Sequence, residues 1–133
     1  MTAKKMPIFI PLQKALEIHE RQVRLYGGDA AVRDMGLLES ALSVPASGFG
    51  GEYFHAFPFG MAAAYLFHIV KDHPFVDGNK RTGAVTALAF LAVNGYCLEA
   101  DESDLECTVL SVAAGGTQKA EVARFFAKYC QNR

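Results

Sequence analysis

His73-Pro74-Phe75-Val76-Asp77-Gly78-Asn79-Lys80-Arg81 separates the two most apolar runs of the chain, and its reading decides the fold. Before it, Gly60 to Asp72 contains Met-Ala-Ala-Ala-Tyr-Leu-Phe-His-Ile-Val, apolar on almost every face, as expected of a helix enclosed by other helices. After it, Thr82 to Val93 is again apolar on most faces and ends at Asn94-Gly95, where the glycine can turn left-handed. Neither Phe59 to Val70 nor Gly83 to Val93 reaches the roughly 20 residues a membrane span needs, so both are expected as buried helices and no membrane partner is expected. The stretch between them joins two central helices and gathers a histidine, a carboxylate, an amide and two cations.

Working outward, Leu12, Ala15, Leu16, His19, Val23 and Tyr26 recur at helical spacing, with Glu17, Glu20, Arg21 and Arg24 elsewhere on the wheel and Gly27-Gly28 as a stop. Asp34 is placed to cap a short second helix with Leu37, Leu38, Ala41 and Leu42 on one face, which Pro45 closes. Beyond the central pair, Tyr96 to Ala100 reads as a connector. Asp101 is placed to cap a fifth helix with Leu105, Thr108, Val109 and Val112 inward, ended by Gly115-Gly116. Thr117 is placed to cap a sixth, whose stripe is Val122, Phe125, Phe126 and Tyr129, with Lys119, Glu121, Arg124 and Lys128 mostly toward solvent. No strand pair is convincing. The expected class is all-α, a bundle of about six helices in one domain over residues 1–133, with room for a small extended flap before the central pair.

That flap would lie in Val44 to Phe59, which mixes Gly48, Gly50 and Gly51 with Phe49, Tyr53, Phe54 and Phe57 between Pro45 and Pro58. The residues fit a connector pinned to the core by its aromatics, or a flap whose extended edge holds a peptide by strand addition. Taken alone, they favour the connector.

Composition narrows the function classes. At 133 residues the chain is long enough to bury a core without disulfides or a structural metal. Its 13 Lys plus Arg against 14 Asp plus Glu give a net charge of -1, which offers no electrostatic case for direct nucleic-acid binding. Cys97, Cys107 and Cys130 are odd in number and widely spaced, so a reducing intracellular setting is expected. Met6 to Leu12, broken by Pro7 and Pro11, is too short an apolar piece for a signal peptide.

If the second central helix begins near Asn79, the free N–H groups of Lys80, Arg81 and Thr82 face out with the positive end of the helix dipole behind them. That is an anion site. Gly78 lets a phosphate come close to the backbone, Lys80 and Arg81 add full charges, and Gly83 hints at tight packing. Asp77 is a hard oxygen ligand suited to Mg²⁺ beside a phosphate. His73 is a residue type that can take a proton from a hydroxyl, while Phe75 points into the core. The plainer reading makes Pro74 and Asp77-Gly78 turn formers, Asn79 an N-cap, and Lys80 and Arg81 solvated. Both readings stay open on residue chemistry. A Walker A loop is excluded by the spacing of lysine and threonine in Gly78-Asn-Lys-Arg-Thr-Gly. A metal hydrolase using His68, Asp72, His73 and Asp77 is a weaker rival, because a histidine inside an apolar helix is more often a satisfied core residue.

The stretch resembles the signature of the Fic and death-on-curing (Doc) superfamily, H-x-F-x-[DE]-[AG]-N-[GK]-R, at every specified position. Gly27-Gly28, Arg33-Asp34-x-Gly36-Leu37-Leu38-Glu39-Ser40-Ala41, Phe49-Gly50-Gly51-Glu52 and Phe90-Leu91-x-x-Asn94-Gly95 are also similar to Doc-type chains, so the likeness covers almost the whole sequence. The resemblance implies an all-α Fic fold that transfers part of a nucleoside triphosphate to a protein hydroxyl. In it His73 is the general base, Asp77 the Mg²⁺ ligand, and Gly78, Asn79, Lys80, Arg81 and Thr82 surround the phosphates. Lys80 and Arg81 join His73 and Asp77 as catalytic residues. Phe49, Gly50, Gly51 and Tyr53 become a flap that aligns the target, which reverses the choice of a connector. For the Doc branch the resemblance implies a cytoplasmic toxin, paired with a separate antitoxin, that uses ATP to phosphorylate translation elongation factor Tu and arrests translation.

Departures from the Fic pattern choose between reactions. Fic adenylyltransferases carry glycine at the position of Lys80 and a second arginine at that of Ala84. Both differences point to the Doc branch and to phosphoryl transfer. An adenylyltransferase and a catalytically idle binding module are the alternatives. Fic proteins also use an inhibitory [ST]-x-x-x-E-[GN] helix; Thr117-x-x-x-Glu121 is followed by Val122, so Thr117 is expected as an N-cap and Glu121 as a surface residue.

Overall fold

The computed structural model describes residues 6–132. Six helices run in chain order: α1 (Leu12–Tyr26), α2 (Met35–Ser43), α3 (Phe59–Asp72), α4 (Asn79–Val93), α5 (Glu102–Ala113) and α6 (Lys119–Tyr129). Two small antiparallel pairs accompany them, β1 (Gly48–Phe49) with β2 (Glu52–Tyr53), and β3 (Tyr96–Leu98) with β4 (Cys130–Asn132). The fold class is the expected all-α one.

α3 is the axis. Met61 through Leu66 are all fully buried because α2, α4, α5 and α6 pack around them, which is why this helix shows no polar stripe. α4 lies against α3 closely enough that a methyl on Gly83 would stand 2.9 Å from Val70 Cγ2 and 3.1 Å from the Leu66 carbonyl oxygen. Alanine's intrinsic helix advantage of about 1 kcal/mol is outweighed there, because a buried valine and a backbone oxygen cannot both retreat. Gly83→Ala is expected to destabilise the protein by about 1–2 kcal/mol, read as a lower urea midpoint with an unchanged slope.

α1 departs from its expected stripe. The buried residues are Ala15, Ile18, His19 and Gln22, so the inner face is rotated from the one through Leu12, Val23 and Tyr26. Tyr26 lies at the exposed end of the helix, 60% accessible. Gly27 ends α1 at φ 87°, its N–H donating to Val23 O at 2.7 Å. α2 begins as expected, the Asp34 carboxylate accepting from Leu37 N at 3.0 Å.

Three C-terminal expectations need correction. Tyr96 to Ala100 is not merely a connector: Tyr96, Cys97 and Leu98 pair with Asn132, Gln131 and Cys130. Three residues show no period of two, and their partner lies past α6, so neither strand is legible locally. The α6 cap is Gln118 rather than Thr117, with Glu121 Oε1 accepting from Gln118 N at 3.0 Å, while Thr117 Oγ1 donates to Ser111 Oγ at 2.6 Å. Glu121 is thereby held at the start of α6 as a capping residue. Asp101 flanks α5 but makes no side-chain cap bond.

The segment before α1 is strapped to the central helices. Asn94 Oδ1 accepts from Ile8 N and its Nδ2 donates to Ile8 O, both at 2.9 Å, so one side chain imitates a strand neighbour. Ile10 N donates to Tyr65 Oη at 2.9 Å, and burial pushes the Tyr65 phenol up to about 12, the Ile10 bond acting against it.

Candidate active site

α3 ends where the site begins. His73 follows Asp72 in the left-handed conformation, φ 52° and ψ 55°. For a residue with a Cβ that geometry costs about 1–2 kcal/mol, so surrounding contacts must impose it. Phe75 supplies one, fully buried and stacked on His19 with ring centroids 3.6 Å apart. The turn therefore hangs from a core aromatic, as expected of Phe75.

His19, read from the sequence only as part of an apolar stripe, does more. It is 2% accessible, and its Nε2 donates to the Asp77 carbonyl at 2.8 Å, which fixes the ring proton on Nε2 because a carbonyl can only accept. Asn79 is the second internal latch. It is 5% accessible; its Oδ1 accepts from Phe75 N at 3.0 Å and its Nδ2 donates to Phe75 O at 2.9 Å. Those two bonds fix which end of the amide is nitrogen, and the same Nδ2 lies 3.2 Å from His73 Nδ1. His73 Nδ1 is accordingly an acceptor, and the neutral ring carries its proton on Nε2.

Gly78 at φ 82° is the N-cap of α4, and Asn79 is its first helical residue. The free donors start one residue earlier than expected, at Asn79, Lys80 and Arg81, because Thr82 N already donates to Gly78 O at 2.9 Å. Thr82 does not join the anion-facing set, since its side chain is fully buried in the bundle. The Asn79 side chain also faces inward, so only its backbone N–H is available outside. Gly78 is needed for its positive φ; a Cβ there would meet His19 and Val23 at no less than 3.5 Å.

Lys80 and Arg81 are exposed on the first turn of α4, and no carboxylate pairs with either among the described residues. The Arg81 guanidinium carbon sits 3.9 Å over the Tyr26 ring, which explains what the end of α1 contributes. Asp77 is exposed beside them. Its Oδ2 accepts from Asp29 N at 2.8 Å, and Gly28 packs so closely that a Cβ there would stand 3.0 Å from Asp77 Cβ. Gly27-Gly28 is thus more than a stop, since Gly28 leaves room for the carboxylate. The opposite oxygen, Oδ1, has no hydrogen-bond partner among the described residues, which suits a hard oxygen-seeking cation such as Mg²⁺. One turn therefore presents an imidazole, a half-occupied carboxylate, three N–H groups and two cations.

The sequence profile of the Fic/DOC family matches residues 9–91, more than half of the chain and all of this turn. The chain belongs to the Fic/Doc family. Among curated relatives, it is 41% identical over 76 residues to a protein named Toxin Doc from Mycolicibacterium smegmatis, covering 57% of this chain and 58% of that one. It is 28% identical over 111 residues to Protein kinase doc of Escherichia phage P1, covering 84% and 86%. The first alignment spans less than two thirds of its relative's length.

The segment before the central helix pair folds into a small hairpin of β1 and β2. Gly50 and Gly51, at φ 62° and 84°, make its two-residue turn, the geometry that matches strand twist. Phe49 is 84% accessible at its tip, while Tyr53 meets Phe9 edge-on at 5.8 Å and roots it.

The hydrolase rival gains nothing from the structure. No group of three or more metal-ligating side chains occurs among the described residues. His68 is half-buried, and its Nε2 accepts from Lys119 Nζ at 2.9 Å. Burial first, and Lys119 second, hold His68 below its ordinary pKa, with Asp72 acting against them. Burial likewise lowers Lys119, which tucks inward rather than facing solvent.

Proposed function

We propose that this chain is a Doc-like toxin that transfers the γ-phosphate of ATP to a hydroxyl of a protein target and is restrained by a separate antitoxin. The carrying observation is the first turn of α4, where the free N–H groups of Asn79, Lys80 and Arg81, the exposed Lys80 and Arg81 side chains and the exposed Asp77 carboxylate come from five consecutive residues. Polyphosphate is the ligand chemistry that such a set accepts. Lys80 and Ala84, in place of glycine and a second arginine, favour the terminal phosphoryl group as the one transferred. The name of the phage relative agrees with that choice.

In the proposed reaction the target hydroxyl oxygen bonds to the γ-phosphorus, the bond from that phosphorus to the β,γ-bridging oxygen breaks, and ADP leaves. The hydroxyl proton passes to His73. As it stands, the imidazole has its lone pair on Nδ1 against Asn79, so the exposed ring must exchange the 3.2 Å contact for one with the hydroxyl. Asp77 Oδ1 would hold Mg²⁺, whose charge would offset that of the phosphates. Lys80 and Arg81 stabilise the charge that gathers on the phosphoryl oxygens. The Phe49 to Tyr53 hairpin lays the target segment across the opening. Translation elongation factor Tu is the proposed target, translation arrest the consequence, and the cytoplasm the setting.

The test is purified protein with a bacterial extract, Mg²⁺, and ATP labelled at the γ- or the α-phosphate. Protein-bound label from the γ position alone, dependent on His73, is the expected result. Label from the α position would instead make it an adenylyltransferase, and no His73-dependent label would reduce it to a binding module. A smaller effect is expected of Tyr26→Ala: losing an exposed cation–π contact of about 0.5–1 kcal/mol should weaken ATP binding about 2- to 5-fold, with Tyr26→Phe close to wild type. Isothermal titration reads both.

A further inference from the structure

The segment between α1 and α2 lies along the whole reactive turn. Asp29 N donates to Asp77 Oδ2, Val76 N donates to Ala31 O at 3.1 Å, and Val32 bridges Phe75 in antiparallel register. Arg33 N and Asp34 N both donate to Pro74 O, at 2.8 and 3.0 Å. The Arg33 side chain closes the remaining end: its Nε donates to His73 O at 2.6 Å and its Nη2 to Asp72 O at 2.9 Å.

We propose that Arg33 is a positioning residue for His73, gripping the last carbonyls of α3 so that the imidazole is carried in its left-handed backbone conformation over the phosphate opening. This rests on His73 being the proton acceptor proposed above. The carbonyls at a helix C-terminus lack intrahelical partners and carry the negative end of the dipole, so a guanidinium fork suits them in geometry and charge. An unrestrained residue with a Cβ leaves the left-handed region, and His73 is the only non-glycine with positive φ among the described residues. Among the described residues Arg33 makes no hydrogen bond or ion pair with α4. The anion-facing groups are held separately, by His19 on the Asp77 carbonyl and by Asn79 on Phe75. Removing the Arg33 side chain should therefore disturb the base and spare the phosphate cradle.

The experiment compares wild type, Arg33→Ala and Arg33→Lys as full chains, by steady-state γ-label transfer and by amide hydrogen exchange. Arg33→Ala is expected to lower kcat about tenfold with KM for ATP within twofold, and to speed exchange at Asp34 and Val76 about tenfold. Arg33→Lys, which keeps the charge but reaches one carbonyl, should recover part of kcat, and added methylguanidinium should partly rescue Arg33→Ala. Unchanged kcat, or kcat and KM rising or falling together, overturns the proposal. If wild type shows no His73-dependent transfer, the reaction reading fails by itself, and the exchange rates then decide about Arg33: faster exchange supports the grip, and unchanged exchange overturns it.

Discussion

Replacing His73 by alanine is expected to lower γ-phosphate transfer about 10²- to 10⁴-fold, the span typical of losing a positioned general base. ATP affinity and melting temperature should barely move. The side chain is exposed, and its only hydrogen bond among the described residues is the 3.2 Å contact to Asn79, so truncation opens no cavity and strands no buried partner. Asn79 keeps both bonds to Phe75, and the turn keeps its anchor. Alanine also bears a Cβ, so the backbone at φ 52° is no more and no less strained than before. Transfer retained within threefold, with ATP still bound, would remove His73 from the reaction and leave the cradle without a base.

Much of this arrangement is legible in the sequence because it repeats or because it concentrates. The helices announce themselves through apolar spacing, and α3 and α4 through near-uniform apolarity that only enclosed helices tolerate. The turn is legible because its residues lie within nine consecutive positions. What escapes is contact between distant segments. Nothing local in Arg33 says that it will reach Asp72 and His73, nor in His19 that it will hold Asp77. Gly28 reads as a helix stop, and only the packed structure shows that it makes room for a carboxylate 49 positions later. Thr82 falls outside the free donors by a single residue of helix phase. Gly78, not Asn79, is the cap, which moves the first intrahelical bond onto Thr82, whose side chain is buried in the bundle.

That one-residue shift also explains the second large effect. Asn79→Ala is expected to destabilise the protein by about 2–5 kcal/mol, because two buried backbone groups would lose their partners together. Phe75 pairs with Val32 at an antiparallel bridge whose hydrogen bonds come from the flanking residues, Arg33 N to Pro74 O and Val76 N to Ala31 O. Phe75's own N–H and C=O are therefore left to the interior, and the Asn79 amide takes both. Alanine can satisfy neither, and water cannot reach them without unseating a fully buried phenylalanine from His19. Asn79→Asp offers an acceptor to the N–H but sets an oxygen against the C=O, so it should fall between alanine and wild type. In a chain of this length the alanine loss corresponds to a melting temperature lower by roughly 7–18 °C, and scanning calorimetry with urea unfolding measures it. Transfer activity should fall with it even at temperatures where the variant is folded, because a turn free to move cannot hold His73 and Asp77 together. A melting temperature within about 2 °C of wild type would show that Phe75 is held by packing alone, and that the amide serves the imidazole rather than the fold.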